Sequence, residues 1–302
     1  MILNSIEEKI KQLSFLRFPY TNVVGLARSI IAVGTLLTLI TNSESVIIQR
    51  NVEGEVFNPL LSPLADINHF NFFLILGFDN FDYMKIMAVI ILMLVISGFY
   101  IKISSVLHWW VSISFFFGSS VIDGGDQIAA VLTFLLIPLC LTDDRKNHWH
   151  TKQPSYSSKN VFGLFSIYLI RFQIAIIYFH AAVGKFDVRE WMNGTALYYW
   201  LNHSFFGSSD NLIPIINMAL KNDWAVTILT YGVIVFELML FLALTASRKY
   251  RKKILPIGIA FHFSIILFHG IFSFFFSIVG GLILYLLPTY QPLNLRLWYP
   301  SK

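Results

Sequence analysis

Apolar runs of about twenty residues recur along this chain, each long enough to cross the roughly 30 Å hydrocarbon core of a bilayer as a helix. A segment in lipid must satisfy its own backbone N–H and C=O groups, so runs of this length fold as helices rather than open strands. The sequence therefore predicts an all-α polytopic membrane protein with about eight transmembrane helices, seven being the nearest alternative. The expected spans are 23–41, 84–101, 104–121, 128–142, 161–183 and 225–246, with two more inside 254–290. Composition agrees: 56% of the 302 residues are hydrophobic and 13% charged, against about 25% charged in soluble domains. That balance excludes a soluble core, and the net charge of +5 carries no signal for nucleic acid. Cys140, the one cysteine, forms no internal disulfide and reads as a small buried hydrophobe.

Residues 1–18 place Leu3, Ile6, Ile10 and Leu13 on one helical face, the pattern of a helix lying on a membrane surface, and Pro19 ends it. The chain reads as one transmembrane domain, with this surface helix, a bundle over 19–290 and a polar tail over 291–302. The first apolar run follows a 22-residue amphipathic leader without an A-x-A site, so no cleavable signal peptide is expected. Within the polar stretch 42–82, which carries Pro59 and Pro63, the segment 69–78 is too short to span and is expected at the interface. Residues 143–160 read as a charged and polar loop. The segment 184–224 carries two short helical pieces, near 191–201 and 212–220.

Charge placement orients the bundle. With the N-terminus cytoplasmic, fifteen of the 22 Lys and Arg fall on the cytoplasmic side, five fall outside, and Arg28 and Arg171 lie within the membrane. Twelve of the 17 acids fall in outward segments. Both termini are then cytoplasmic, and Asp123–Gln127 and Lys185–Gly194 open outward.

Ionisable groups in a span are costly, by roughly 2.5–3.5 kcal/mol at its centre, and tend to face a protein interior or a cavity. The stretch 161–194 holds Arg171, Gln173, His180 and Lys185. Arg171, Tyr178 and Lys185 are seven apart, which falls only about 20° short of two turns, so they form one stripe. Gln173 and His180 repeat the interval beside it. Arg171 and Gln173 either bond between helices or line a cavity. A sheltered lysine amine favours its neutral form and acts as base or nucleophile, whereas one at a span's end snorkels to the headgroups. Both readings apply to Lys185, which Asp187, Arg189, Glu190 and Trp191 follow. Asp123–Gln127 reads as a tight hinge whose Asp126 or Asp123 answers Lys185, or as a turn with capping aspartates. Gln127 is counted with this polar group. Glu237 is expected to pair with Arg171, with Arg28 as competitor. His262, His269 and His180 lack a carboxylate or cysteine at ligand spacing, so they are expected to brace the interior and no metal is assigned.

The stretch RFQIAIIYFHAAVGKFDVREWMNGTALYYWL resembles the signature of the horizontally transferred transmembrane domain, whose superfamily includes vitamin K-dependent gamma-glutamyl carboxylase. The stretches HWWVSISFFFGSSVIDGGDQIAAVLTFLLIPLCLTDDRKNHW and YTNVVGLARSIIAVGTLLTLI resemble the sporulation-delaying protein B family of bacteria. The likeness runs over roughly residues 19–245. It implies a protein of the bacterial cytoplasmic membrane that matures an exported antimicrobial peptide toxin from its precursor, on the extracytoplasmic side, with a small companion protein. By the same resemblance Lys185 of Lys185-Phe186-Asp187 corresponds to the carboxylase base, Trp191 stands one residue further on, and Asp126 stands where the carboxylase has a histidine. No lumenal domain is expected after the bundle. A quinol enters only by this analogy, and the cofactor is otherwise unassigned. The resemblance leaves three classes open: an enzyme using Lys185 and Asp126, a scaffold or export factor for the peptide, and a transporter.

Overall fold

The computed structural model describes residues 2–48, 70–155, 157–204, 206–209 and 211–294, with the side chains of 2–7 excepted. Among the described residues the chain is helical throughout, apart from turns and an isolated bridge between Phe99 and Asn147. Helix α1 (Ile2–Leu16) packs on α7 (Lys159–Gly184), where the Arg17 guanidinium donates to the Tyr168 hydroxyl. The remaining long helices are α2 (Asn22–Thr41), α4 (Phe81–Ser97), α5 (Ile101–Gly118), α6 (Gly124–Leu141), α11 (Asp223–Leu242), α12 (Arg248–His269) and α13 (Phe272–Leu286). Short helices α3 (Glu44–Ile47), α8 (Arg189–Met192), α9 (Ala196–Leu201) and α10 (Ile213–Leu220) occupy the connections.

Seven of these helices are long and apolar enough to cross a membrane, and α13 is the exception at 15 residues. At 1.5 Å per residue it extends only about 22 Å. It nonetheless packs against α2, α6, α7 and α12, and every residue from Ser277 to Leu286 is buried. Two glycines make this possible. A Cβ on Gly280 would strike Ile31 of α2, and one on Gly281 would stand 2.6 Å from Ile174 Cδ1 of α7. Small residues let helices approach closely where lipid supplies no hydrophobic drive between them. The main core joins α2, α6, α7 and α13, and a second cluster joins α2, α4 and α5.

Two expected boundaries move. Of the two readings of Asp123–Gln127, the capping one holds: the segment is the cap and first turn of α6 rather than a hinge before the fourth span. The Asp123 carboxylate accepts from Gly125 and Asp126 N–H, and the Asp126 carboxylate accepts from Asp123 N–H. That reciprocal pattern satisfies N–H groups that a helix start leaves unpaired. The basic run 248–253, placed after the sixth span, forms the first turns of α12, capped by Ser247. Phe70 to Phe78 stays short of a span and is pinned to α5, Asn71 donating to the Ser114 carbonyl at 2.9 Å. Residues 49–69, which hold Pro59 and Pro63, and the end of the tail, 295–302, lie outside the described residues.

The connection 143–150 differs most from expectation. Asp143, Arg145, Asn147 and His148 are all buried, His148 completely. Gly98, at φ +86°, ends α4, and its carbonyl accepts from His148 N–H at 3.0 Å. A Cβ on Gly98 would lie 2.6 Å from Asn147 Oδ1, and one on Gly25 would lie 2.7 Å from His148 Cδ2. Notches in two helices thus admit the imidazole. Arg145 is neutralised by Asp143 at 2.7 Å and donates to the carbonyls of His148 and His150.

Candidate functional site

Helix α7 delivers Lys185 as the residue after its last turn, and α11 packs alongside α7. The amine does not reach outward as a snorkelling lysine does. It turns back toward its own helix, donating to the Ala181 carbonyl at 3.0 Å and to both oxygens of Glu237 at 2.8 and 2.7 Å. Glu237 lies in the second half of α11 and is 7% exposed, while the Lys185 side chain is 17% exposed. Trp191, on α8, closes the remaining side, with the amine 4.9 Å from its ring centroid. A protonated amine over an aromatic face gains cation–π attraction, stronger when water is excluded. Gly194, at φ +73°, packs on Thr227 and Tyr231 of α11, and the Tyr231 hydroxyl donates to the Met192 carbonyl. These contacts hold α8 over the ion pair.

Seven residues further in on the same stripe, Tyr178 is buried with its hydroxyl 2.9 Å from His262 Nε2 of α12. His262 sits among Phe261, Phe274 and Tyr178, and its Nδ1 has no hydrogen-bond partner. The expected stripe of Arg171, Tyr178 and Lys185 is therefore real, but it serves three separate partners.

The expected pairing of Arg171 with Glu237 is overturned. Arg171 donates to the carbonyls of Leu284 and Leu287 at 3.3 and 3.0 Å, where α13 ends. The last carbonyls of a helix are unpaired and carry its negative dipole end, so a cation suits them. Arg171 also stands two seven-residue intervals below Lys185, about 21 Å along the axis, so Glu237 reaches one of them only. Arg28, the proposed competitor, is buried elsewhere and donates to His148 Nδ1 and Ser104 Oγ, both at 3.1 Å. A guanidinium only donates, so Nδ1 accepts and the His148 proton sits on Nε2, toward Ser29. Burial first, then Arg28 and Arg145, push the His148 pKa down to about 2.

Asp126 does not answer Lys185. Its carboxylate is tied into the α6 cap and, with Asp123, lines a separate cavity at the same end of the bundle. His180 and Gln127 both lie on exposed faces, so His180 does not brace the interior as expected. Gln173 is half-buried. His269 holds the Phe206 carbonyl through Nδ1, so His180, His262 and His269 do not converge. The partnership of Glu237 with Lys185 was missed. Its signal was an acid isolated within an apolar span, which had to meet some cation.

The model of the HTTM domain family matches residues 46–289. The chain belongs to that family. It is 31% identical over 298 residues to sporulation-delaying protein SdpB of Bacillus subtilis, covering 98% of this chain and 89% of that one. It is 37% identical over 277 residues to YitO of the same organism, described as uncharacterized, covering 90% and 87%. Within the HTTM proteins the chain is thus a member of the sporulation-delaying protein B family. The apolar helices and the family together make it a multi-pass membrane protein. No solved structure matches it.

Proposed function

We propose that this protein acts in a sporulation-delaying toxin pathway, maturing an exported antimicrobial peptide from its precursor at the extracytoplasmic face, with a small companion protein. Its similarity to SdpB along nearly the whole chain supports the pathway. The single observation that supports a chemical role is the Lys185–Glu237 pair, folded inward and roofed by Trp191. A lysine needed only as an anchor has no reason to turn from the headgroups. In this reading the pair shares the proton-handling role: Glu237 takes the proton of Lys185 when a reacting group draws near, leaving a neutral amine as base. The residues around Lys185 do not fit a quinol, since both Glu237 oxygens engage the amine and the cavity at this end is lined by Asp123 and Asp126 instead.

A second reading, a non-enzymatic scaffold for peptide and companion, draws on the same pair. A carboxylate held at 2.7 Å stabilises the ammonium form and makes a sound structural clasp. Mass spectrometry of the secreted peptide separates the two. The precursor is expressed with wild-type protein, with Lys185→Ala and without either. A mass difference absent with Lys185→Ala supports chemistry, and a change in amount alone supports the scaffold.

A further inference from the structure

At the Lys185 end of the bundle a cavity of ≈600 Å³ lies between the ends of α2, α5, α6 and α12. That volume is within the roughly 300–1,000 Å³ of small-ligand sites. Leu37, Val121, Ile122, Ile271 and Phe272 give it apolar walls, while Asp123 and Asp126 supply two carboxylates. Asp126 is 5% exposed, and its carboxylate accepts from Asp123 N–H through Oδ2, with no hydrogen bond to Oδ1 among the described residues. Asp123 is occupied by the α6 cap and by the Ser273 hydroxyl.

No Lys or Arg neutralises either acid among the described residues. Lys85 reaches the Asn42 carbonyl, at 2.6 Å, rather than either acid, and the His269 imidazole is held by the Phe206 carbonyl. Two carboxylates three residues apart thus share one apolar chamber without a cation. Like charges in a sheltered place repel, and a buried charge calls for a partner. No group of three His, Cys, Asp or Glu suited to a metal occurs among the described residues.

We propose that this cavity binds an apolar peptide segment by its primary amine, a free N-terminus or a lysine, with Asp126 Oδ1 accepting and Asp123 adding charge. This deepens the reading of the protein as one that handles an exported peptide, and rests on it for the ligand's class. The apolar walls take the adjoining side chains. Half of the lining comes from helix connections, Asn42, Ile122, Gly270 and Ile271 among them, which places the chamber where a chain end can enter.

The test uses the full-length protein in phosphatidylcholine nanodiscs and a short apolar fluorescent peptide, with a free N-terminus or acetylated, followed by anisotropy. The free amine should bind about tenfold or more tightly than its acetylated twin, as a charge-assisted hydrogen bond implies. Asp123→Asn with Asp126→Asn should erase that preference while folding normally, since asparagine also caps helices. Equal binding of the two peptides, or a preference that survives the double variant, overturns the site. So does displacement of the peptide by millimolar calcium, which would mark a metal site. Loss of the preference in phosphatidylethanolamine nanodiscs would assign the cavity to a lipid headgroup and also overturn the peptide. The measurement is independent of maturation. An intact amine preference with unaltered secreted peptide would leave the site standing and remove the functional reading.

Discussion

Lys185 and Glu237 are each other's main electrostatic support, and the consequence is sharp at the level of single residues. Removing one member of a buried pair strands the other charge and destabilises by roughly 3–5 kcal/mol. Glu237→Gln should fall toward the lower end, because Lys185 keeps some access to water and the Ala181 carbonyl. Lys185→Met with Glu237→Leu should restore most of the loss, since both charges go together. Thermal unfolding in detergent gives the cycle. Arg171→Leu should add to Glu237→Gln within about 0.5 kcal/mol, as expected of groups with no shared partner. Strong coupling between Arg171 and Glu237 would contradict the separation of their partners. A second prediction concerns chemistry. Lys185→Arg preserves the charge, yet guanidinium does not release its proton near neutrality. If Lys185 is a base, peptide maturation should fall with Arg as far as with Ala, at unchanged protein level. Full maturation with Arg would leave the scaffold as the better reading.

Among the elements, the helices were readable and their meetings were not. A bilayer dictates the length of any apolar segment that crosses it, so the windows 23–41 and 161–183 nearly coincide with α2 and α7. Even α13 was visible as a second apolar run inside 254–290. Which residues face one another depends on crossing and depth, which periodicity within one helix does not encode. Glu237 could be seen to need a cation, yet only the packing of α11 on α7 selects Lys185 over Arg171. The 143–150 connection was opaque for a similar reason. Its polar composition suggests water, whereas the notches at Gly25 and Gly98 belong to helices far away in sequence. Those notches allow a direct test: Gly25→Ala forces a methyl against His148 and should destabilise by about 1–3 kcal/mol. The imidazole also predicts a pH dependence. Its folded pKa lies below the ordinary 6.5, so the unfolded chain takes up a proton that the native state refuses. The contribution is complete above pH 6.5 and is lost as pH falls toward 2, by at most about 1.4 kcal/mol per unit. Wild type should therefore lose stability between pH 6.5 and 5 faster than His148→Asn, and parallel slopes would mean the imidazole is not held neutral.

For the whole molecule the question is which end meets which compartment, because the reading of Lys185 and of the Asp123–Asp126 cavity depends on it. Lys and Arg gather at the end that holds Lys102, Arg145, Lys146, Lys152, Lys159 and the start of α12, while that of Lys185 carries few. Short connections rich in Lys and Arg stay on the cytoplasmic side. The Lys185 end is accordingly predicted to face outward, where an exported precursor arrives. The one native cysteine, Cys140, is buried at 1% exposure, so a membrane-impermeant maleimide should leave the wild type unlabelled. Against that background Lys221→Cys, exposed between α10 and α11, should label in intact cells. Lys152→Cys and Lys252→Cys, exposed at the opposite end, should label only after the cells are opened. Labelling of position 252 from outside intact cells, with position 221 protected, would invert the bundle. It would put the ion pair and the cavity in the cytoplasm and leave an exported peptide no access to either.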